Sequence, residues 1–283
     1  MQPIAIAGPG AADLAAALTD RIDGRTAVVN RANGDLGGDT GEAEATDGGV
    51  AVGAPADQTD ADTRVTLGED GRWTGRGSAD GLDAFLDGLA PDHDFLVAVG
   101  DSRLRVPTVL LGADAEAEDV PGTVIAAADA PEALDLDRLV ADLDAADPWI
   151  TRETLVRRVE RSAGADRAGA IATFTGRVRA QDAPDDDRTT HLAFEKYEGV
   201  AAERMDAIGT ELTERDGVFD VRMHHRTGVI EADEDIVFVV VLAGHRREAF
   251  RAVEDGIDRL KDEVPIFKKE ATEAEEFWVH RRD

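Results

Sequence analysis

The stretch EDIVFVVVLAG, residues 234–244, followed by REAFRAVEDGIDRLKDEV, residues 247–264, decides the fold of the second half of the chain. Its first part is an uninterrupted apolar run of strand length, which predicts a buried β-strand. In its second part, apolar residues recur at spacings of three and four on one helical face: Phe250, Val253, Ile257, Leu260 and Val264. This spacing predicts an amphipathic helix, which Pro265 ends because proline cannot continue it.

The other segments of residues 149–283 continue this alternation of helix and strand patterns. Helical spacing runs through TRETLVRRVERSA (151–163) and VAAERMDAIGTELTER (200–215). Short runs rich in β-branched and aromatic residues predict strands at 168–179, 191–198, 218–228 and 277–280. The second half of the chain is therefore predicted to be an α+β domain.

The first half predicts an α/β domain with a mostly parallel sheet. Apolar runs predict five strands: PIAIAG (3–8), TAVVN (26–30), DFLVAVG (94–100), VPTVLLG (106–112) and TVIAAA (123–128). Helical patterns separate them at 11–22, 80–89 and 134–145, and strands that alternate with helices are typical of parallel sheets. Residues 31–63 are rich in Gly, Asp, Thr and Ala without periodicity, which predicts a long loop.

A change in charge marks the boundary between the two halves. Residues 1–148 carry 9 arginines against 30 acidic residues, whereas residues 149–283 carry 22 basic against 30 acidic residues. The change falls at Asp147-Pro148, and a residue that precedes proline is disfavoured in a helix. We therefore expect two domains, residues 1–148 and residues 149–283.

The composition argues against several classes of protein. Because the chain has no cysteine, it has no disulfide, thiolate metal site or cysteine nucleophile. No run approaches the roughly 20 apolar residues that span a bilayer, and a net charge of −29 repels nucleic acid and anionic lipid. The acidic residues are spread along the whole chain, as in proteins of salt-accumulating microbes. We expect a halophilic, cytoplasmic protein that binds neither nucleic acid nor a membrane.

Lysine is rare in this chain and is concentrated in one place. Of 31 lysines and arginines only four are lysines, and Lys261, Lys268 and Lys269 lie within nine residues of one another. A lysine that is buried or set among other cations can lose its proton and act as a base or nucleophile, whereas arginine stays charged. The pattern favours a chemical role here, although an exposed helical lysine beside Asp262 and Glu263 is ordinarily a solvated surface residue.

The segment IAIAGPGAADLAAAL (4–18) occupies the place of a phosphate-binding loop, after the first strand and at the start of a helix. Such a loop needs Gly-Lys-Ser/Thr from the fifth residue after Gly8, where this chain has Asp13, Leu14 and Ala15. A plain Gly-Pro-Gly turn is the simpler interpretation. Together with DFLVAVGDSRLRVPTVLLG (94–112), however, the segment resembles the MobB family, GTP-binding adapters of molybdenum cofactor biosynthesis. The resemblance implies a degenerate P-loop-like domain; a working GTPase is the alternative.

Four motifs follow one another in the second half: FTGRVR (174–179), HLAFEKYEGV (191–200), HHRTGVIEADEDIVFVVVLAGHRREAF (224–250) and LKDEVPIFKKEAT (260–272). Their joint order resembles the MoaE family, the catalytic subunits of molybdopterin synthase. The resemblance implies an α/β hammerhead fold and sulfur transfer to cyclic pyranopterin monophosphate. The sulfur donor would be the Gly-Gly thiocarboxylate of a ubiquitin-like (MoaD-like) small subunit, in a homodimer or heterotetramer, with no metal or organic cofactor.

The same resemblance implies roles for single residues. Lys261 is expected to be the main acid/base group, and Lys268 to stabilise negative charge that develops as the thiocarboxylate attacks. Phe174 is expected to line the pocket for the donor tail. The substrate-contacting segments of the family match a further set: Arg177, Val178, Arg179, His245, Arg246, Lys269 and Glu270.

Elementary chemistry agrees with part of this set. Arginine binds phosphate through paired, charge-assisted hydrogen bonds, and His245-Arg246 precedes a predicted helix whose free N–H groups favour an anion. If residues 266–272 form a strand, Lys269 faces away from Lys268 and is structural. His224-His225 is more typical of strand packing than of a metal site, Lys196 of a surface or rim residue, and Trp278 of a core residue.

A second class of function stays open at this point. The same pocket could belong to a receptor that binds the Gly-Gly tail of ubiquitin-like modifiers without catalysing a reaction. The combination of cations on residues 179, 245, 246, 261 and 268 argues against this alternative, because binding a tail alone does not require a substrate anion site.

Overall fold

The computed structural model describes residues 1–30, 62–70, 72–79, 82–100, 104–112, 120, 122–181, 183, 187–197, 199–272 and 276–278. It divides into two compact units: Gln2–Leu89 with His93–Asp147, and Met1 with Ala90–Asp92 and Pro148–Asp283. The loop expected at 31–63 lies outside the described residues up to residue 61. Within the described part, none of the helices combines the length and the hydrophobicity that crossing a membrane would take.

The N-terminal unit is built on a parallel sheet, as its apolar runs predicted. Its strands are β1 (Gln2–Ala7), β2 (Thr26–Asn30), β3 (Arg64–Leu67), β4 (Trp73–Arg76), β5 (Phe95–Val99), β6 (Thr108–Leu111) and β7 (Val124–Ala128). Its helices are α1 (Ala11–Thr19), α2 (Leu82–Leu89) and α3 (Leu136–Asp144). Five strands pair in the order β2-β5-β1-β6-β7, all parallel, and the five predicted strands are confirmed.

The turn after β1 is packed tightly against β6. Gly8 has a φ of +107°, and a Cβ at this position would lie 1.9 Å from the carbonyl oxygen of Leu111, so only glycine fits. Gly10, with a φ of 82°, precedes the first residue of α1. The Gly-Pro-Gly segment therefore forms a close strand-to-helix turn.

The hairpin of β3 and β4 was not predicted. Its two strands pair antiparallel from Arg64 opposite Arg76 to Leu67 opposite Trp73, and Leu67 and Trp73 are exposed. Because neither strand buries an apolar face, the hairpin has no strong alternation of apolar and polar residues from which to predict it.

The C-terminal unit is an α+β domain with two antiparallel sheets, as predicted. Its strands are β8 (Ala170–Arg177), β9 (Thr189–Lys196), β10 (Val218–His225), β11 (Gly228–Glu231), β12 (Asp235–Ala243), β13 (Ile266–Thr272) and β14 (Glu276–Trp278). Its helices are α4 (Arg152–Glu160), α5 (Val200–Thr213) and α6 (Arg246–Glu263). The sheets have the orders β10-β12-β8 and β11-β9-β13-β14.

Helix α6 follows β12 and lies against it with most of the predicted apolar face. Ile257, Leu260 and Val264 are buried and Val253 packs against the core, whereas Phe250 is 64% exposed. The buried face is centred on the small residues Ala249, Ala252 and Gly256. These let the helix approach the sheet closely, as the 3.1 Å between a Cβ built on Gly256 and the side chain of Val239 shows. Phe250 lies at the edge of that face.

Candidate active site

The last turn of α6 places Lys261 over an aromatic ring of β8. The Nζ atom of Lys261 lies 6.0 Å from the ring centroid of Phe174. Lys261 is exposed, while Phe174 is half-buried and packs against the core of the unit. A cation at this distance from a ring face is attracted by the ring quadrupole. Two residues that the sequence assigned to one pocket are thus neighbours in space.

Four charged side chains fix this end of α6 to α5. Arg259 donates to Glu263 at 2.7 Å and to Glu211 at 2.6 Å, and Arg204 donates to Glu263 and lies 3.8 Å from Glu211. The hydrogen bonds from Arg259 and Arg204 lower the pKa of Glu263 to about 2. The network thus fixes the last turn of α6, which carries Lys261, to α5.

We expect Glu263→Gln to lower the midpoint of thermal unfolding by a few degrees and to reduce the activity of the protein. The substitution removes the charge that both arginines share, and networks of this kind are worth more than single surface pairs. Circular dichroism in 2 M KCl measures the midpoint. The exposed acid Glu254 on the same helix provides the matched control, Glu254→Gln. Equal midpoints for the two variants would contradict a positioning role for the network.

Strand β13 brings a second lysine to the core-facing side of the sheet. Lys268 lies opposite Phe194 of β9 in the register, and its Nζ atom is 3.7 Å from Glu270 Oε2. The hydroxyl of Thr189 donates to Glu270 at 2.7 Å, and the amide of Thr189 donates to the carbonyl oxygen of Ala180 at 2.9 Å. These bonds place the Lys268–Glu270 pair beside the segment that follows β8.

The three predicted residues of that segment have different environments. Arg177 donates to Asp235 at 3.1 Å and to the carbonyl oxygen of Asp233, so it is bound within the turn before β12. Val178 is 1% exposed, and both its amide and its carbonyl bond to the same turn. Its side chain therefore packs in the core of the unit, and its place among the substrate-contacting residues stays a prediction. Arg177 and Arg179 are both exposed, so a ligand can reach either side chain.

The register of β13 also separates two adjacent lysines. Lys269 lies opposite Ala193 of β9 and Trp278 of β14, on the other face of the sheet from Lys268. Lys269 was predicted to be structural if residues 266–272 form a strand, and this strand is present. The side chain of Trp278, expected in the core, lies outside the described residues. Lys196 is half-buried on the same core-facing side as Lys268, which sequence reasoning missed because it depends on the pairing of β9 with β13.

The other predicted anion-binding residues lie far from Lys261 in the same chain. His245 is the N-cap of α6 and Arg246 is its first residue, as expected, and both are exposed. Lys261 is 15 residues further along the helix, which at 1.5 Å per residue is about 22 Å. One small substrate cannot contact both ends of α6 in a single chain.

His224 and His225, at the end of β10, form a pair of neutral imidazoles. Burial, followed by the positive charges of Lys196 and Arg226, lowers the pKa of His224 to about 3. Burial and Lys196 lower the pKa of His225 to about 4, against a hydrogen bond to the backbone of Arg226. Since a carbonyl only accepts, Nδ1 of His225 donates to the oxygen of Arg226 at 2.6 Å. In the described part of the chain, no group of three or more His, Asp or Glu residues could hold a metal ion.

The pair predicts a loss of stability in mild acid. Above pH 6.5 both imidazoles are neutral in the folded and the unfolded chain. As the pH falls towards 5, the two histidines bind protons in the unfolded chain but stay neutral in the folded chain. This difference lowers the free energy of unfolding by about 2 kcal/mol per histidine between pH 7.5 and 5. Protonation of Glu263 does not affect this comparison, because the stability that its ion pairs contribute is lost only at lower pH.

Urea unfolding at constant high salt, at pH 7.5 and pH 5, measures this loss. His224→Gln should remove about half of it, whereas His191→Gln on β9 serves as the control and should keep it. A wild-type protein whose free energy of unfolding is the same at both pH values would contradict the buried, neutral pair.

Comparisons with known proteins identify the family of this chain. Residues 148–263 match the family described as MoaE protein. Over 283 residues, 100% of each chain, the protein is 50% identical to the probable molybdopterin synthase of Haloferax volcanii. It is 37% identical to the molybdopterin synthase catalytic subunit of Bacillus subtilis over 46% of this chain and 79% of that protein. A crystal structure of molybdopterin synthase from Staphylococcus aureus is similar at 33% identity and a TM-score of 0.39, over 41% of this chain and 83% of that one. The chain thus belongs to the molybdopterin synthase family, with the MoaE region in its C-terminal unit.

Proposed function

We propose that this protein acts in molybdenum cofactor biosynthesis as a molybdopterin synthase. It transfers sulfur from the C-terminal thiocarboxylate of a ubiquitin-like small subunit to cyclic pyranopterin monophosphate. The observation that carries the proposal is the position of Lys261 over Phe174, at the end of a helix in the region that matches the family. The functions of its full-length and catalytic-subunit relatives support it.

Each part of the candidate site has a role in this reaction. The extended tail of the small subunit lies along the apolar ring of Phe174 and covers Lys261. Burial of an amine favours its neutral form, and a neutral amine accepts a proton. Lys268, whose Nζ atom lies 3.7 Å from Glu270 Oε2, stabilises the negative charge that develops when sulfur attacks the pterin. The step needs no metal or organic cofactor.

A second copy of the chain completes the site. Because His245 and Arg246 lie about 22 Å from Lys261 along the helix, they reach a bound substrate only from a neighbouring protomer. An arginine at a helix N-terminus is well suited to a phosphate. The working unit is therefore a homodimer that binds one small subunit at each site.

The N-terminal unit is a degenerate, MobB-like domain of P-loop type that does not hydrolyse nucleotide. Its parallel sheet and its Gly8-to-Gly10 turn into α1 support the resemblance. Asp13 stands where a phosphate loop has glycine, and a carboxylate there repels phosphate. We assign it residues 1–148 and the catalytic domain residues 149–283. The charge of −29 supports a cytoplasmic protein of a salt-accumulating organism.

Formation of molybdopterin by the purified protein tests the function. The protein is mixed in 2 M KCl with the thiocarboxylated small subunit and cyclic pyranopterin monophosphate, and product is quantified as its fluorescent oxidation product. We expect product in proportion to thiocarboxylate consumed, and none with the ordinary carboxylate form. A protein that binds the small subunit but forms no product would contradict the proposal and favour a receptor.

A further inference from the structure

Lys196, the fourth lysine of the chain, shares a sheet face with Lys268. It lies opposite Ile266 in the pairing of β9 with β13, two residues from Lys268 along β13. Directly opposed residues of antiparallel strands point to the same side, as do residues two apart on one strand. Diagonal neighbours of this kind have backbones about 7–8 Å apart. Both ammonium groups can therefore contact one anion the size of a phosphate.

We propose that Lys196 is a third lysine of the active site, which binds the phosphate of the pterin substrate together with Lys268. This assignment deepens the proposed function and depends on it. It concerns positioning of the substrate and not proton transfer, which the proposed function gives to Lys261.

Glu270 limits how strongly Lys268 alone attracts an anion, because its Oε2 atom lies 3.7 Å from the Nζ atom of Lys268. Lys196 brings a second ammonium group to the same face of the sheet. The chain uses 27 arginines and only four lysines, and a flexible, compact ammonium group can follow a small phosphate where the planar arginine fork is constrained.

Neighbouring side chains link Lys196 to Lys268. The positive charge of Lys196 helps to lower the pKa of both His224 and His225, which means that both imidazoles lie near it. The ring of His225 packs edge-on against Phe194 at 4.9 Å between centroids, and Phe194 is opposite Lys268 in the register. Lys196, His225, Phe194 and Lys268 are therefore successive neighbours in this part of the unit.

Steady-state kinetics with varied pterin substrate and varied small subunit test the assignment. We expect Lys196→Gln to raise the KM for the pterin about 10- to 50-fold, the loss of one charge-assisted hydrogen bond, and to leave kcat within about threefold. Lys196→Arg keeps the charge and should restore most of the affinity. Arg138→Gln on α3 removes an exposed charge as the control. Thermal unfolding verifies that the variants are folded.

Each outcome decides the question. Wild-type KM values for the pterin in Lys196→Gln, or a loss confined to kcat, would overturn the assignment while leaving the proposed function intact. A raised KM for the small subunit alone would show that Lys196 binds the donor tail, which also overturns it. A wild-type protein that forms no molybdopterin would overturn the proposed function itself.

Discussion

Replacing Lys261 with arginine is expected to slow molybdopterin formation by at least about 100-fold, the usual contribution of a positioned acid or base. Arginine keeps the positive charge and binds an aromatic ring as well as lysine does. It cannot release its proton at ordinary pH. The variant therefore separates proton transfer from simple electrostatic attraction at the position over Phe174.

Single-turnover assays with thiocarboxylated small subunit measure the chemical step, and binding of the small subunit is measured in parallel. We expect its affinity to change little, because the cation over the ring remains. Arg251→Lys, an exchange between the same two residue types on the exposed side of α6, is the matched control. If Lys261→Arg turned over at the wild-type rate, a positive charge alone would suffice and the proton would have to be transferred by another group.

The fold could largely be predicted from apolar periodicity. Continuous apolar runs such as residues 236–243 are buried strands, and the alternation of strands with helices produced the parallel sheet of the N-terminal unit. The prediction is less accurate where small residues, and not large apolar side chains, form the buried face of a helix. Phe250 belongs to the predicted apolar face but is exposed, whereas Ala249, Ala252 and Gly256 are buried. Apolar periodicity identifies one face of a helix, but small residues determine which side of the helix packs against the sheet.

The candidate site was predicted less completely than the fold. The resemblance to the MoaE family identified the residues of the candidate site, and the structure shows which residues lie next to them. It brings Lys261 to Phe174 and Lys268 to Glu270, and it places Val178 in the core. The role of Lys196 could not be predicted, because the face on which it lies follows from the register of two strands that are 70 residues apart in sequence. Lysine scarcity was the one available signal.

A heterodimer experiment is expected to show that the two ends of α6 act in different protomers. Arg246→Ala alone should reduce kcat/KM about 10- to 100-fold, the effect of losing a charge-assisted contact to phosphate, and Lys261→Ala alone should be inactive. In a heterodimer of these two variants, isolated with two affinity tags, one site has both Lys261 and Arg246. We therefore expect about half of the wild-type activity, because a twofold-symmetric dimer has two sites.

A second heterodimer, in which a chain with both substitutions is paired with a wild-type chain, completes the test. Each shared site of this heterodimer then has one substituted residue, so it should be nearly inactive. If each site belonged to one chain, the two results would be exchanged: the first heterodimer would be inactive, and the second would keep half of the activity through its wild-type chain. The length of α6 makes the first result the expected one, because about 22 Å separates the two groups within a chain and a single pterin phosphate cannot bridge that distance.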